Sequence, residues 1–376
     1  MSKRKKLFVL KVMLSVMLAV SLPVVSDFVP QFSQLVKANS AYTESLGPVT
    51  AKDVIYQILT DRFYDGDSSN NIPDGFNPAY FDGTGTNLNH YQGGDWQGII
   101  DKIPYLKGMG VTAVWISAPY KNREEATISG NTSWVAYHGY HVWNYFATNE
   151  HFGTLNDFKK LRDALHANGI KLVIDFVKNH TSDRSTDGKL YEPDKLSDRI
   201  YAIGSDGRPY DANGDGVVEN LVADPNNDYN SWFHHYGNRA DSETDVWSYR
   251  NKDLANLADL SHENGQVVSY LESAVKYWTN LGIDGIRHDA TLHMNPAFVR
   301  GLMDATNSVQ TITHFGEFFI GRPSEKYSEY ISFPARTGVN NLDFEFYNAA
   351  TTTFGSFSTT MSDFGNMLLY TSEDYD

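Results

Sequence analysis

The stretch GIDGIRHDA, at residues 282–290, is an apolar run that ends in charge, with Arg287 two residues ahead of Asp289. Side chains alternate along a strand, so residues two apart lie on the same face. A second carboxylate, Glu317, closes the next apolar run, TITHFGE (Thr311 to Glu317). Two carboxylates at consecutive strand ends favour glycosidic chemistry, in which one carboxyl group protonates the leaving oxygen and another meets the positive charge at the anomeric carbon.

Outward from this stretch, short apolar runs alternate with longer amphipathic segments, the order expected of β–α units around a parallel sheet. Helices are predicted at 155–167 and 266–281, each followed by a glycine stop. The predicted strands end near polar residues, and chemistry at the carboxyl ends of strands is typical of (β/α)8 barrels. The sequence therefore predicts the α/β class and a (β/α)8 TIM barrel. Its six predicted strands are Val54–Leu59, Val111–Ser117, Ile170–Phe176, Gly285–Asp289, Thr311–Glu317 and Asn340–Phe344.

A third motif, DFVKNH (Asp175 to His180), completes a set found in a known family. With the motifs that end at Asp289 and Glu317, the chain resembles the alpha-amylase family of glycoside hydrolases (family 13), especially its cyclodextrin glucanotransferase and maltogenic amylase branch. The resemblance runs from about Asp53 to the last residue, with the motifs in the family's order. That branch has a fourth block, ending in Asn-His-Asp and carrying a third essential carboxylate, which this chain lacks. The resemblance therefore implies a C-terminally incomplete chain that ends after about strand 6.

The chain divides into four predicted segments. Its basic start and following apolar stretch are typical of a secretory signal peptide, with a plausible small-residue cleavage site at residues 36–38. A transmembrane anchor is the alternative, which Lys11 and Pro23 weaken. The long polar stretch before the fourth strand matches the family's B domain, inserted after strand 3. The segments are a signal peptide at 1–38, barrel strands 1–3 at 39–180, the B domain at 181–263, and barrel strands 4–6 at 264–376.

Composition excludes several classes of function. The formal net charge of −15 argues against a nucleic-acid partner, which would need a basic surface. The absence of cysteine excludes disulfides, a thiolate nucleophile and cysteine-ligated metals. An acidic, disulfide-free exported protein suits a bacterial origin. We expect a secreted, extracellular monomer with no membrane association after signal cleavage.

The resemblance implies a role for each motif residue. Asp289 is the expected nucleophile, Arg287 holds it ionised, and Glu317 is the general acid and then the general base. Asp175 is expected to support the site structurally. A structural Arg–Asp ion pair and a helix cap by Glu317 are the alternatives. The other residues expected to bind substrate are His180, His138, Tyr140, His293, Phe318 and Phe319.

Calcium is the cofactor that the resemblance implies, at two sites of hard oxygen ligands. The first combines Asn179, Asp259 and the backbone carbonyl of His293. The second lies around DGDSSNN, for which an Asx-rich turn is the alternative. Its implied ligands are Asp65, Asp67, Asn70, Asn71, the Gly93 carbonyl and Asp95.

Departures from the family pattern bear on the reaction. Glucanotransferases place a large aromatic residue where this chain has Ala255, and they carry Lys-His where it has Leu292 and His293, which favours hydrolysis. The paired Phe318 and Phe319 favour transfer. The predicted function is a secreted, retaining, alpha-amylase-like hydrolase of internal alpha-1,4 bonds in starch and maltooligosaccharides. The alternatives are a cyclodextrin glucanotransferase and an inactive glucan-binding remnant without the third carboxylate.

Overall fold

The structure is a computed structural model. It describes residues 45–124, 126–129, 131–183, 185–186, 189–190, 231–319 and 324–372. The predicted signal peptide at 1–38 and residues 191–230 of the predicted B domain lie outside the described residues.

A six-stranded parallel sheet forms the centre of the molecule, and its strands pair in chain order. Parallel strands that pair in chain order are the arrangement of consecutive β–α units in a barrel wall. The strands are β1 (Ile55–Ile58), β2 (Ala113–Ile116), β3 (Lys171–Phe176), β4 (Gly285–His288), β5 (Thr313–Gly316) and β6 (Asn340–Asn341).

The sheet curls, as contacts across its inner face show. The rings of Trp115 on β2 and Phe315 on β5 are 5.5 Å apart between centroids, and Val173 of β3 packs in the same cluster. In a flat sheet three strand spacings of about 4.8 Å each would separate β2 from β5 by roughly 14 Å. The contact therefore requires a curved wall, as in the first six strands of a (β/α)8 barrel.

Helices cover the outer face of the sheet. Outward side chains such as Leu172, Ile174 and Ile286 join the helical residues Phe158 and Trp278 in the largest buried cluster. The helices are α1 (Trp96–Asp101), α2 (Ile103–Gly108), α3 (Leu155–Ala167), α4 (Val246–Asn251), α5 (Gly265–Asn280), α6 (Pro296–Asn307), α7 (Ser324–Thr337), α8 (Phe344–Ala350) and α9 (Met361–Ser372). None of the helices in the described part of the chain is long and apolar enough to cross a membrane.

Short strand pairs and helical turns lie in the segments that connect these strands and helices. Four antiparallel pairs join Tyr120–Asn122 to Val142–Thr148, Thr127–Ser129 to Thr132–Trp134, His180–Asp183 to Leu257–Asp259, and Ser185–Thr186 to Lys189–Leu190. Single tight turns of 3-10 helix occur at Thr60–Arg62, Pro78–Tyr80 and Thr291–His293, and a π-helical turn at Thr351–Gly355.

The predicted strands are confirmed in number and order, and both predicted helices are present. Helix α3 has the predicted bounds because a capping box at Thr154 and Asp157 opens it and Gly169, at φ +71°, follows its end. The sixth strand is shorter than predicted. Asp343 caps α8 by accepting a hydrogen bond from the Phe346 amide at 2.8 Å, which turns the chain into a helix at Phe344.

Candidate active site

Three neighbouring strands bring the predicted catalytic residues together. Arg287 of β4 lies directly opposite Asp175 of β3 in the parallel register. Asp289 and Glu317 follow β4 and β5 immediately, and the Glu317 amide donates to the His288 carbonyl at 2.9 Å. The carboxyl ends of parallel strands meet at one edge, so these side chains share a single site.

The Arg287 guanidinium is the centre of that site. Its Nη1 lies 2.7 Å from Asp289 Oδ1 and 2.9 Å from Asp175 Oδ1, and its Nη2 lies 2.8 Å from Glu317 Oε2. Arg287, Asp175 and Asp289 are buried. One cation therefore binds three carboxylates, and its charged hydrogen bonds fix their positions.

The two catalytic candidates have pKa values moved in opposite directions. Burial opposes ionisation of Asp289, but the charge of Arg287 outweighs it, and the pKa of Asp289 is lowered. Burial raises the pKa of Glu317, with Arg287 opposing and Asp289 reinforcing the shift. This environment keeps Asp289 ionised at neutral pH and makes Glu317 the more readily protonated of the two, the division of roles that a nucleophile and a general acid need.

Aromatic and imidazole groups line the site. The Tyr140 hydroxyl donates to Asp175 Oδ2 at 3.3 Å, and its backbone N–H donates to His138 Nδ1 at 3.0 Å. His180 Nε2 is 4.0 Å from Asp289 Oδ2. Burial lowers the pKa of His180 although Asp289 opposes the shift, so its imidazole is neutral. In the described part of the chain His180 Nε2 is buried and has no hydrogen-bond partner.

Two residues near the site carried no functional prediction. The Trp115 ring centroid lies 5.4 Å from the Arg287 guanidinium carbon, which adds a cation–π contact. Lys178, within DFVKNH, is fully buried, and its Nζ has no hydrogen-bond partner among the described residues. Burial lowers the pKa of Lys178 to about 7, with Asp289 opposing the shift. Strand alternation could have identified Trp115 as inward-facing, whereas nothing in the sequence identifies Lys178 as buried.

The two phenylalanines after Glu317 are in different environments. Phe318 is fully buried, and its ring packs 5.1 Å from that of Phe333. Phe319 is 64% exposed, with its ring edge against Phe344. Phe318 is therefore a core residue in this structure, and only Phe319 is accessible to a substrate. His293 is buried in the turn after Asp289, where its Nδ1 lies 3.0 Å from the Tyr249 carbonyl.

The first predicted calcium site has oxygen atoms that lack partners. Asn179 Oδ1 and Asp259 Oδ1 are buried and have no hydrogen-bond partner in the described part of the chain. The Leu260 amide donates to the Asn179 carbonyl at 2.9 Å, which holds the two segments together. The other oxygen of Asp259 lies 2.7 Å from His234 Nδ1. Orphaned carboxylate and amide oxygens fit a hard cation.

The second predicted site gathers most of its predicted residues. Asn71 donates to Asp65 at 2.8 Å, and Asn70 donates to Asp95 at 3.3 Å. Asn70 Oδ1 and Asn71 Oδ1 are buried without partners among the described residues. Gly93 has φ +97°, and a Cβ there would lie 2.6 Å from Asn71 Oδ1, so glycine is required.

Asp67 and Asp95 also form turns and caps within this second site. Asp67 Oδ1 accepts from the Ser69 amide and hydroxyl, and Asp95 caps α1 by accepting from the Gly98 amide at 2.6 Å. The segment therefore forms an Asx turn, and its oxygen atoms also form a cluster that is compatible with a cation. No group of three or more His, Cys, Asp or Glu side chains suited to a metal occurs in the ranges that the structure describes.

Comparison with known proteins identifies the family. The family model "Alpha amylase, catalytic domain" matches residues 57–361. The chain belongs to the alpha-amylase family. This confirms the predicted family and the (β/α)8 class; the family comprises glycoside hydrolases and related glycosyl-transferring enzymes.

Individual members of the alpha-amylase family show how far the similarity extends. A cyclomaltodextrin glucanotransferase of Bacillus sp. (strain 38-2) is 43% identical over 325 residues, covering 86% of this chain and 42% of the relative. The crystal structure of a cyclomaltodextrin glucanotransferase with a three-domain ABC distribution gives a TM-score of 0.74 at 35% identity, covering 86% of this chain and 62% of that one. The crystal structure of an Anoxybacillus alpha-amylase gives a TM-score of 0.64 at 28% identity, covering 86% of this chain and 59% of that one. The chain thus spans less than half the length of the glucanotransferase from strain 38-2.

Proposed function

We propose that the protein cleaves internal alpha-1,4-glucosidic bonds of starch and maltooligosaccharides with retention of anomeric configuration. The observation that carries the proposal is the single guanidinium of Arg287, bound on one side to Asp289 and on the other to Glu317. Retaining glycosidases need their two carboxyl groups close together, about 5 to 5.5 Å apart. Two carboxylates that bind one guanidinium are held near each other, which supports a retaining arrangement.

The proposed reaction has two steps. Asp289 attacks the anomeric carbon while Glu317 donates its proton to the glycosidic oxygen, so that the bond to the leaving sugar breaks as the glycosyl–enzyme bond forms. Glu317 then removes a proton from water, whose oxygen attacks the anomeric carbon and releases Asp289. The lowered pKa of Asp289 and the raised pKa of Glu317 support these roles.

Neighbouring residues are proposed to bind the sugar at the cleaved bond. His180 faces the Asp289 carboxylate, Tyr140 binds the neighbouring Asp175 and His138 stacks on Tyr140, with His293 in the turn after Asp289. Hydrogen bonds of this kind strengthen as charge develops in the transition state. Phe319 is the accessible member of the phenylalanine pair, and we assign Phe318 to the core.

Cyclisation is the second candidate. It is favoured by 43% identity to a cyclomaltodextrin glucanotransferase. It is opposed by Ala255, a residue with a small side chain at φ +51°, where glucanotransferases carry a large aromatic group. Without a ring at that position a glucan chain has less to curl around, and we therefore propose hydrolysis as the main reaction.

The product spectrum from soluble starch tests both candidates. If the protein is a hydrolase, we expect linear oligosaccharides whose new reducing ends are first released as the α-anomer. NMR measures the anomer over time. Cyclic oligosaccharides as main products would establish the transferase instead. Initial β-anomers would contradict the retaining mechanism, and binding of maltooligosaccharides without any turnover would leave a glucan-binding protein.

We further propose that calcium binds at both oxygen clusters. Asn179 and Asp259, with the carbonyl of His293, would hold one ion, and Asp65, Asp67, Asn70, Asn71, Asp95 and the carbonyl of Gly93 the other. A bound ion would cross-link the start and end of the insertion and stabilise the strand pair that carries Asp259. Its contribution here is to stability, because the proposed chemistry is carried out by carboxyl groups.

The cellular setting completes the proposal. A basic and apolar N-terminus supports secretion from a bacterium, and the curated relatives come from bacteria. We propose a monomer whose partner is its glucan substrate, without nucleic-acid or membrane partners. Detection of the protein in culture medium, with its N-terminus near residue 39, tests secretion.

A further inference from the structure

Two exposed aromatic side chains, Tyr236 and Trp247, stand side by side. Tyr236 is 58% exposed and Trp247 is 53% exposed. Their ring centroids are 5.2 Å apart with 58° between the ring planes. Isolated exposed apolar residues are ordinary, whereas neighbouring ones mark binding surfaces. Unlike phenylalanine, both rings also carry a polar group that can hydrogen-bond a ligand.

The backbone under these two rings is held in place. Trp247 lies in α4, where Asp245 caps the helix by accepting from the Ser248 amide at 2.8 Å. Arg250 of the same helix pairs with Glu329 of α7 at 2.7 Å. The chain after Tyr236 is held by the Asp253 amide, which donates to the Gly237 carbonyl at 3.0 Å. A surface fixed before binding loses little entropy when a ligand docks.

The aromatic pair is connected directly to the candidate active site. Tyr249, two residues after Trp247, is buried, and its ring lies 5.2 Å from that of His293. His293 belongs to the turn that follows Asp289. A six-residue helix is about 9 Å long. The exposed Trp247 ring is therefore carried by a short helix that contacts, through Tyr249, the turn next to the nucleophile.

We infer that Tyr236 and Trp247 form a glucan-binding platform that contacts sugar units remote from the cleaved bond. The inference rests on the proposed function and extends it to the length of substrate that the protein prefers. The apolar faces of sugar rings stack on such side chains, and a neutral ligand suits a chain of net charge −15. The acidic residues Asp241, Glu243 and Asp245, which lie between Tyr236 and Trp247 in the sequence, disfavour an anionic partner such as nucleic acid.

The platform predicts a dependence on substrate length. In the full-length protein, the double substitution Tyr236→Ala and Trp247→Ala is expected to lower kcat/KM on amylose about 3- to 10-fold, mainly through KM, as expected for lost aromatic stacking. Turnover of maltotriose, which is too short to reach the platform, stays within about twofold. Trp247→Phe keeps an aromatic face and retains most of the affinity. Tyr105→Ala, at a 54% exposed tyrosine on α2, is the matched control and leaves both substrates unaffected.

Binding measured without turnover separates this inference from the proposed reaction. In native gels containing amylopectin, the Asp289→Asn protein is expected to be retarded, and adding Tyr236→Ala and Trp247→Ala reduces the retardation. Unchanged retardation, or equal losses on amylose and maltotriose, would overturn the platform. If the intact protein hydrolysed no glucan but the double substitution still abolished retardation, the platform would stand and the proposed reaction would fail.

Discussion

Strand β4 is flanked by two buried carboxylates, and their surroundings differ sharply. Asp284, before the strand, receives hydrogen bonds at both oxygens: from the Ser45 hydroxyl and Leu46 amide at Oδ1, and from His166 and the Leu172 amide at Oδ2. Asp289, after the strand, binds Arg287 through one oxygen and faces His180 at 4.0 Å with the other. Burial alone therefore does not distinguish a catalytic carboxylate from a structural one.

The two aspartates differ in how many of their carboxylate oxygens are already hydrogen-bonded. The hydrogen bonds to Asp284 come from three separate segments of chain and hold them at the amino-terminal edge of the sheet. Asp289 is held by one strong partner and keeps an oxygen directed at the site. In barrels of this class the amino-terminal edge contributes stability and the carboxyl edge contributes chemistry. Identical substitutions at the two positions should therefore have opposite consequences.

Asp289→Asn is expected to have the largest effect. Loss of the nucleophile should lower kcat/KM on maltoheptaose by about 10⁴-fold or more. The free energy of unfolding should change by less than about 1 kcal/mol, because Arg287 keeps its pairs with Asp175 and Glu317. Steady-state kinetics tests the expected loss of activity, and urea unfolding of the same preparation tests the expected retention of stability. Normal turnover by this variant would refute the assignment of the nucleophile.

Glu317→Gln tests the second catalytic carboxyl at the same edge. General acid–base catalysis contributes about 10² to 10⁴, and a loss in that range is expected on starch. Alpha-maltosyl fluoride needs no proton on its leaving group, so the first turnover of this substrate should be affected far less. An equal loss on both substrates would indicate that Glu317 has a structural role, such as a helix cap.

Asp284→Asn is expected to lower stability and leave activity unchanged, the reverse of Asp289→Asn. The amide nitrogen of asparagine would face an N–H or O–H donor at one of the two paired oxygen positions, leaving buried donors unsatisfied. We expect a loss of about 2 to 4 kcal/mol in the free energy of unfolding, with kcat/KM of the folded fraction unchanged. Asp304→Asn, at an exposed pair with Arg300, is the matched control and should change stability by at most about 0.5 kcal/mol. A stable but inactive Asp284→Asn protein would contradict the structural role assigned to Asp284.

The same two aspartates show how far sequence reasoning reached. Six strands and two helices followed from apolar periodicity and glycine stops, and Asp289 and Glu317 followed from their positions after strands. Asp284 lies in the same quoted stretch, but its hydrogen bonds to Ser45 and His166 span 239 and 118 residues. No local pattern specifies a partner at that distance.

Within the site, side-chain burial was the least predictable property. Phe318 and Phe319 are adjacent and chemically identical, yet only one is buried, because the turn after β5 directs Phe318 toward Phe333 on α7. Lys178 is buried beside a motif whose other polar residues were assigned roles. Such differences arise from tertiary packing, which a residue's type does not determine.

Asp259 is intermediate between the two aspartates of β4, with one oxygen paired to His234 and the other unpartnered in the described part of the chain. If calcium binds there, a chelator should lower the melting temperature by several degrees, since saturating ligand stabilises by about 2 to 3 kcal/mol. The calcium-dependent part of the melting temperature should shrink in Asp259→Asn and persist in Asp304→Asn. Identical melting curves in calcium and in chelator would contradict calcium binding.

The smallest predicted effects concern the pH dependence of stability, to which Asp289 and Glu317 contribute with opposite sign. The pKa of Asp289 is lowered in the folded protein, so its stabilisation is present above its unfolded value of about 3.9 and is lost as pH falls through the folded pKa. The pKa of Glu317 is raised, so its stabilisation is present below about 4.3 and is lost as pH rises through the folded pKa.

Glu317→Gln should therefore remove a pH dependence rather than add one. Between pH 4.3 and the folded pKa of Glu317 the wild-type protein loses stability by up to about 1.4 kcal/mol per pH unit from this group, and the variant does not. Urea unfolding across this window, with Asp304→Asn as the control, measures the difference between the two slopes. Parallel slopes for wild type and variant would mean that burial leaves the Glu317 carboxyl unperturbed, and the acid role would lose its physical basis.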